Sequence, residues 1–140
     1  MILLICGFTF FLLSKNTKTS KNMDDFEWSD HIEEHVQTMI QSHPVTIIYH
    51  SHCPHCLMVE NLLRQKTNGD YAVFDLIKHE DHDDAEQIRQ YLWKTTGRQV
   101  VPWVFIDGKF VGDRFAVEKL DSTGELDKMI EKAMKRKDEL

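Results

Sequence analysis

The sequence predicts one α/β domain in which a mixed four-stranded sheet carries helices on both faces. Short β-branched apolar runs alternate with stretches of helical periodicity, as in layered α/β proteins. A helix separates the first two strands, which predicts a parallel pair, whereas the two-residue turn Asp107-Gly108 predicts an antiparallel hairpin for the last two. The chain has 140 residues, 41% of them apolar, which is enough for one such domain.

The first half of the domain is predicted to run helix, strand, helix, strand. Apolar residues recur at helical spacing over residues 28–41, and His43-Pro44 ends that helix. Val45–Tyr49 is predicted to be a buried strand. A second helix then runs to Asn68-Gly69, and Tyr71–Ile77 is predicted to be the second strand.

The second half is predicted to run helix, strand, strand, helix. The third helix ends at Gly97, and Val101–Ile106 forms the third strand. The fourth strand begins at Phe110 after the turn, and a last helix follows. The apolar residues whose spacing marks these two helices are Ala85, Ile88, Leu92, Leu126, Ile130 and Met134.

Both ends of the chain resemble targeting signals. Residues 1–13 are almost wholly apolar but shorter than the about 20 residues that span a bilayer, so we expect a signal peptide or signal anchor, with membrane contact only if it is not cleaved. Residues 14–25 are expected to be a polar linker and residues 26–136 the folded domain. The last four residues, 137–140, read KDEL, which predicts the endoplasmic reticulum lumen and the KDEL receptor as a partner.

The charge of the chain gives no sign of a nucleic-acid partner. The formal net charge is −6, and the basic residues form no dense patch. The one basic run, Lys135-Arg136-Lys137, stands beside acidic residues and is interpreted as a solvated helix end.

The segment His50–Cys56, with the sequence HSHCPHC, joins the first strand to the second helix. Cys53 should therefore lie at the helix N-terminus, where the helix dipole and unpaired N–H groups stabilise a thiolate. Cys56 lies one turn further along, within disulfide reach and more buried. We interpret Cys53 as the nucleophile and Cys56 as the thiol that resolves the mixed disulfide.

The histidines of this segment are compatible with redox chemistry and with metal binding. A protonated imidazole would stabilise the thiolate and make the disulfide more oxidising, and His55, between the cysteines, is best placed to do so. Zinc usually needs a second pair of Cys or His ligands, and the sequence has no second cysteine pair. We therefore expect no metal, although a metal-binding or redox-sensing module remains an alternative.

From about residue 45 to residue 130 the chain resembles the glutaredoxins of the thioredoxin superfamily. The segments that carry the resemblance are VTIIYHSHCPHC at 45–56, TGRQVVPWVFI at 96–106, Val111-Gly112 and LDSTGEL at 120–126. The resemblance implies a thioredoxin-like fold and a glutathione-dependent oxidoreductase with glutathione as co-substrate. Its clients would be protein disulfides and protein–glutathione mixed disulfides.

The resemblance also implies particular site residues. A cis peptide bond would precede Pro102 and face Cys53, so that the backbone of Val101 can pair with glutathione as with an added strand. His50 stands where the family has a basic residue that holds a glutathione carboxylate. The expected glutathione contacts are His50, Arg98, Gln99, Val101, Pro102, Gly112 and Asp113.

The sequence departs from the family beside these contacts. The acidic pair that receives the glutathione amine falls on Phe115 and Ala116, and the second glycine of the family is Asp113. These departures, together with the Cys-Pro-His-Cys pair and the KDEL ending, motivate a second hypothesis. It is a glutathione-independent protein thiol oxidase or isomerase of the endoplasmic reticulum.

Overall fold

Four strands form one mixed sheet in the computed structural model, which describes residues 28–79 and 84–140. The strands are β1 (Val45–Tyr49), β2 (Ala72–Asp75), β3 (Trp103–Ile106) and β4 (Lys109–Gly112), in the order β2-β1-β3-β4. The helices are α1 (Asp30–Ser42), α2 (Pro54–Lys66), α3 (Asp84–Thr96), α4 (Arg114–Ser122) and α5 (Glu125–Asp138), and a short 3-10 helix spans Leu76–His79.

The strand register confirms the predicted mixed sheet. Ile47 of β1 pairs in parallel with Val73 of β2 and antiparallel with Val104 of β3. In the hairpin, Phe105 pairs with Phe110. The turn between them has positive φ angles of 53° at Asp107 and 73° at Gly108, as a type I′ hairpin turn requires.

Two apolar cores lie on opposite faces of this sheet because side chains alternate along each strand. On one face, Val45 and Ile47 of β1 pack with α2, α4 and α5, in a cluster that includes Cys56. On the other face, Ile48 of β1 and Trp103 of β3 pack with α1 and α3. The cysteine segment therefore begins where a fully buried strand leaves the sheet.

The predicted second and third strands were too long. The second strand stops at Asp75, since the carboxylate of Asp75 accepts the N–H of Ile77 at 3.2 Å and the chain turns into the 3-10 helix there. The third strand starts at Trp103, because Pro102 has no N–H to donate to a neighbouring strand.

The predicted element order lacked α4. This helix has only nine residues, and Val117 is the only buried one among them, so few apolar positions mark it. The signal that marks its start is Asp113, whose side chain accepts the N–H of Ala116 as an N-cap.

The predicted targeting segments stay predictions. Residues 1–13 and 14–25 lie outside the described residues, as does the expected domain start at Phe26. Among residues 28–79 and 84–140, no helix is long and apolar enough to cross a membrane. The location in the endoplasmic reticulum also stays a prediction.

Candidate active site

Cys53 occupies the N-cap position of α2, as predicted. The chain leaves β1 at Tyr49 and turns at His50, whose carbonyl accepts the N–H of Cys53 at 3.0 Å. The carbonyl of Cys53 then accepts the N–H groups of Cys56 and Leu57, at 3.1 and 3.2 Å, which starts the helix. Pro54 at the first helical position loses no hydrogen bond there. The Cys53 side chain is thus half-buried at a helix N-terminus that favours negative charge.

Cys56 is fully buried against the sheet, also as predicted. Burial raises the pKa of its thiol to about 12, and a hydrogen bond with Cys53 adds to that shift. Cys56 is therefore a protonated thiol at neutral pH. Both cysteines are free, so the pair is a dithiol with one accessible sulfur and one sheltered sulfur.

The Val101–Pro102 peptide bond is cis, in agreement with the prediction. Pro102 is buried and Val101 is half-buried. Val101 packs against the same apolar cluster as Cys53. The preceding loop is anchored by Trp103, whose indole N–H donates to the carbonyl of Arg98 at 3.0 Å. The backbone before Pro102 and the accessible cysteine therefore border one apolar cluster.

The head of α4 brings together two predicted residues, Gly112 and Asp113. Gly112 has φ +144°, and a Cβ placed there would lie 2.4 Å from the Cβ of Ala116, so only glycine fits. The Oδ1 of Asp113 accepts the N–H of Ala116 at 3.2 Å, and its Oδ2 lies 3.8 Å from Nη1 of Arg98. The Asp113 carboxylate is therefore engaged by its own helix and by Arg98, while Gln99 is exposed.

The three histidines of the His50–Cys56 segment lie in different surroundings. The ring of His50 lies 3.4 Å from Nη2 of Arg89, on α3. His52 is exposed. His55 is exposed on the first turn of α2, and its Nδ1 lies 2.6 Å from Nη1 of Arg114. Arg114 was not predicted as a site residue, because the helix that carries it was not predicted.

Asp75 is a second residue that the sequence analysis missed. It ends β2 beside β1, and its Oδ1 accepts the N–H of Ser51 at 3.1 Å and that of Ile77 at 3.2 Å. This carboxylate ties the loop before Cys53 to the end of the neighbouring strand. Its only sequence signal is an acidic residue that closes an apolar strand.

The described residues offer no alternative metal centre. Across 28–79 and 84–140, no three His, Cys, Asp or Glu side chains are grouped so that they could hold an ion. His31 and His35 stack on α1 with ring centroids 6.1 Å apart, as a pair on an outer helix face.

A cavity of about 530 Å³ lies next to Pro44 and the Asp107-Gly108 turn. Pro44 precedes β1, so this cavity lies at the opposite end of that strand from the cysteines.

Comparisons with known proteins agree on one family. The family model described as Glutaredoxin matches residues 45–111. Glutaredoxin-2 of Schizosaccharomyces pombe is 36% identical over 95 residues, which are 68% of this chain and 83% of that protein. Glutaredoxin-C4 of Arabidopsis thaliana is 27% identical over 130 residues, 93% of this chain and 87% of that protein.

Solved structures give the same answer. The holo form of glutaredoxin C1 from Populus tremula x tremuloides is similar with a TM-score of 0.66 and 30% identity, over 74% of this chain and 99% of that chain. A buckwheat glutaredoxin–glutathione complex is similar with a TM-score of 0.67 and 26% identity, over 74% of this chain and 90% of that chain.

Proposed function

This chain belongs to the glutaredoxin family and is a thiol–disulfide oxidoreductase with a thioredoxin-like fold, and we propose that it uses glutathione as its co-substrate. Its clients are protein disulfides and protein–glutathione mixed disulfides. Cys53 is the nucleophile of this proposal and Cys56 the resolving thiol.

The proposed reaction is two successive thiol–disulfide exchanges. The Cys53 thiolate attacks the glutathione sulfur of a protein–glutathione disulfide, so that a Cys53–glutathione disulfide forms and the protein thiolate leaves. A second glutathione thiolate then attacks that disulfide and releases oxidised glutathione with the Cys53 thiolate. Alternatively, Cys56 loses its proton and attacks the Cys53 sulfur, which forms the Cys53–Cys56 disulfide and expels glutathione.

The observation that carries the proposal is the contrast between the two thiols. Cys53 is half-buried at the N-terminus of α2, whereas Cys56 is fully buried and has a pKa of about 12. A thiolate is the attacking species in exchange, so the accessible Cys53 reacts first and Cys56 acts only after the mixed disulfide has formed.

Support for glutathione as the partner comes from the backbone before Pro102. Val101 lies outside the four strands and packs against the same apolar cluster as Cys53. An extended γ-glutamyl-cysteinyl segment bound to Cys53 could pair with this backbone as an added strand. The solved buckwheat relative is itself described as a glutathione complex.

A second candidate is glutathione-independent thiol oxidation or isomerisation of proteins, and the head of α4 favours it. Asp113 is engaged as N-cap and by Arg98, and Phe115, 72% exposed, presents an apolar ring instead of a carboxylate. The described part of this helix end therefore offers no acidic side chain that is uncommitted and could receive the glutathione amine.

The deciding experiment is turnover of a glutathionylated peptide by residues 23–140 and by the matched Cys56→Ser variant. We expect both proteins to be active, since Cys53 and free glutathione complete the first route without Cys56. Isolation of a Cys53–glutathione adduct from the Cys56→Ser variant would support the same conclusion. If neither protein acts on the peptide while the intact dithiol protein oxidises a reduced peptide, the second candidate is correct.

A further inference from the structure

A positively charged side chain from another helix, α4, contacts the Cys-Pro-His-Cys motif. Arg114, the first residue of α4, places Nη1 2.6 Å from Nδ1 and 3.5 Å from Nε2 of His55. A guanidinium can only donate hydrogen bonds, so Nδ1 of His55 must accept. A guanidinium keeps its charge at every working pH. The permanent cation in contact with the motif is therefore Arg114.

Arg114 is held in this position by its own helix. Its Nε donates to Oε1 of Glu118 at 2.6 Å, one turn further along α4. Its guanidinium also lies 5.2 Å from the ring centroid of Phe115. The side chain is only 25% exposed. Glu118 therefore orients the guanidinium, and a different nitrogen, Nη1, is left to reach His55.

We propose that Arg114 is a positioning residue for the cysteine pair, which fixes the His55 ring and supplies the permanent positive charge beside the Cys-Pro-His-Cys segment. The proposal rests on the redox activity of Cys53 and Cys56 and does not depend on glutathione use. It assigns to α4 the electrostatic role that the sequence by itself gave to His55.

The expected consequence concerns the balance between dithiol and disulfide. Only the reduced form contains a thiolate, so a fixed cation beside the Cys-Pro-His-Cys segment stabilises the reduced form relative to the disulfide. Arg114 should thus make the disulfide more oxidising. The effect should be modest, because the contact with His55 is close to solvent and Glu118 offsets part of the charge.

The test is direct exchange between the wild-type protein and Arg114→Gln. Oxidised wild-type protein is mixed with reduced variant and, in a second sample, reduced wild-type protein is mixed with oxidised variant. After equilibration both samples are quenched with acid, and the reduced and oxidised forms of each protein are quantified. Two electrons and two protons pass from one dithiol to the other disulfide, and no glutathione is present. We expect the equilibrium to favour reduced wild-type protein and oxidised variant about two- to fivefold.

Two matched variants separate this role from a structural one. Lys119→Gln removes an exposed positive charge from the same helix and should leave the exchange constant at about one. Glu118→Gln breaks the same intrahelical ion pair but keeps the cation, so it should shift the constant the other way or leave it unchanged. The proposal is overturned if Arg114→Gln behaves like Lys119→Gln, or if Glu118→Gln shifts the constant as Arg114→Gln does.

A double-mutant cycle shows whether Arg114 acts through His55. If it does, Arg114→Gln should lose the part of its effect that passes through the His55 ring when it is introduced into a His55→Ala protein. An undiminished effect in that background would mean that the contact with His55 is incidental, and the positioning role would be wrong.

Discussion

Asp75 carries a buried carboxylate next to the active-site loop, with only 5% of the residue exposed. Burial by itself would raise the pKa of this group. The hydrogen bonds that it accepts from Ser51 and Ile77, with the nearby charge of Lys78, outweigh burial and lower the pKa. A carboxyl group with a depressed pKa stabilises the fold above its ordinary pKa, and this contribution is lost as the pH falls through the folded value.

We predict that Asp75→Ala lowers the free energy of unfolding by about 1–3 kcal/mol, because the N–H groups of Ser51 and Ile77 lose their acceptor. Asp75→Asn keeps a side-chain carbonyl as acceptor and should lose less. Urea unfolding at pH 7 measures both variants. Equal losses in the two variants would show that the charge, and not the two hydrogen bonds, is what matters at this position.

The positions of the two cysteines could be predicted from local chemistry, and the contacts of the histidines could not. A thiol at the start of a helix and a second thiol one turn later already define an exposed and a sheltered sulfur. The partners of His50 and His55 are Arg89 and Arg114, 39 and 59 residues away in the chain. No spacing rule connects such distant residues.

At the scale of elements, the junction of β4 and α4 determines where the first turn of α4 lies relative to the cysteine segment. Gly112 ends the strand with φ +144°, and Asp113 then caps the helix. The close approach of Gly112 to Ala116 fixes where the first turn of α4 begins. This turn carries Arg114 towards His55.

We predict that Gly112→Ala lowers the free energy of unfolding more than the same substitution at a glycine with positive φ and open space around it. The variant combines an unfavourable backbone conformation, about 1 kcal/mol, with a clash against Ala116 that adds about 1–3 kcal/mol. Gly69→Ala is the matched control, since Gly69 has φ +87° but no atom within 4 Å of the added Cβ. Urea unfolding should show a loss of about 1 kcal/mol for the control. Equal losses would mean that the contact with Ala116 relaxes without cost.

At the scale of the whole molecule, two ionisable groups are buried in the core that backs the site. Burial raises the pKa of Cys56 from its ordinary 9.0 to about 12. Burial, and then the charge and hydrogen bond of Glu60, raise that of Tyr49 from 10.0 to about 12. Between about pH 9 and 12 the folded protein therefore keeps protons that the unfolded chain has released. Stability must fall as the pH rises through this window.

We predict that the reduced protein loses up to about 1.4 kcal/mol of unfolding free energy per pH unit for each of these groups. Urea unfolding between about pH 9 and 10.5, inside this window, measures the slope. Cys56→Ser and Tyr49→Phe should each flatten it. A slope that is unchanged in both variants would place the alkaline sensitivity elsewhere in the protein.

The mixed sheet and the two-thiol site could be predicted from short-range patterns: the β-branched runs, the Asp107-Gly108 turn and the position of Cys53 before a helix. The family could be predicted from the resemblance of whole segments, such as residues 45–56 and 96–106. The folded chain alone shows that Arg98 lies beside the Asp113 carboxylate and that Arg114 reaches His55. These contacts depend on where α4 packs. That packing is set by the buried side chain of Val117 and the close approach at Gly112, and no short-range pattern in the chain predicts it.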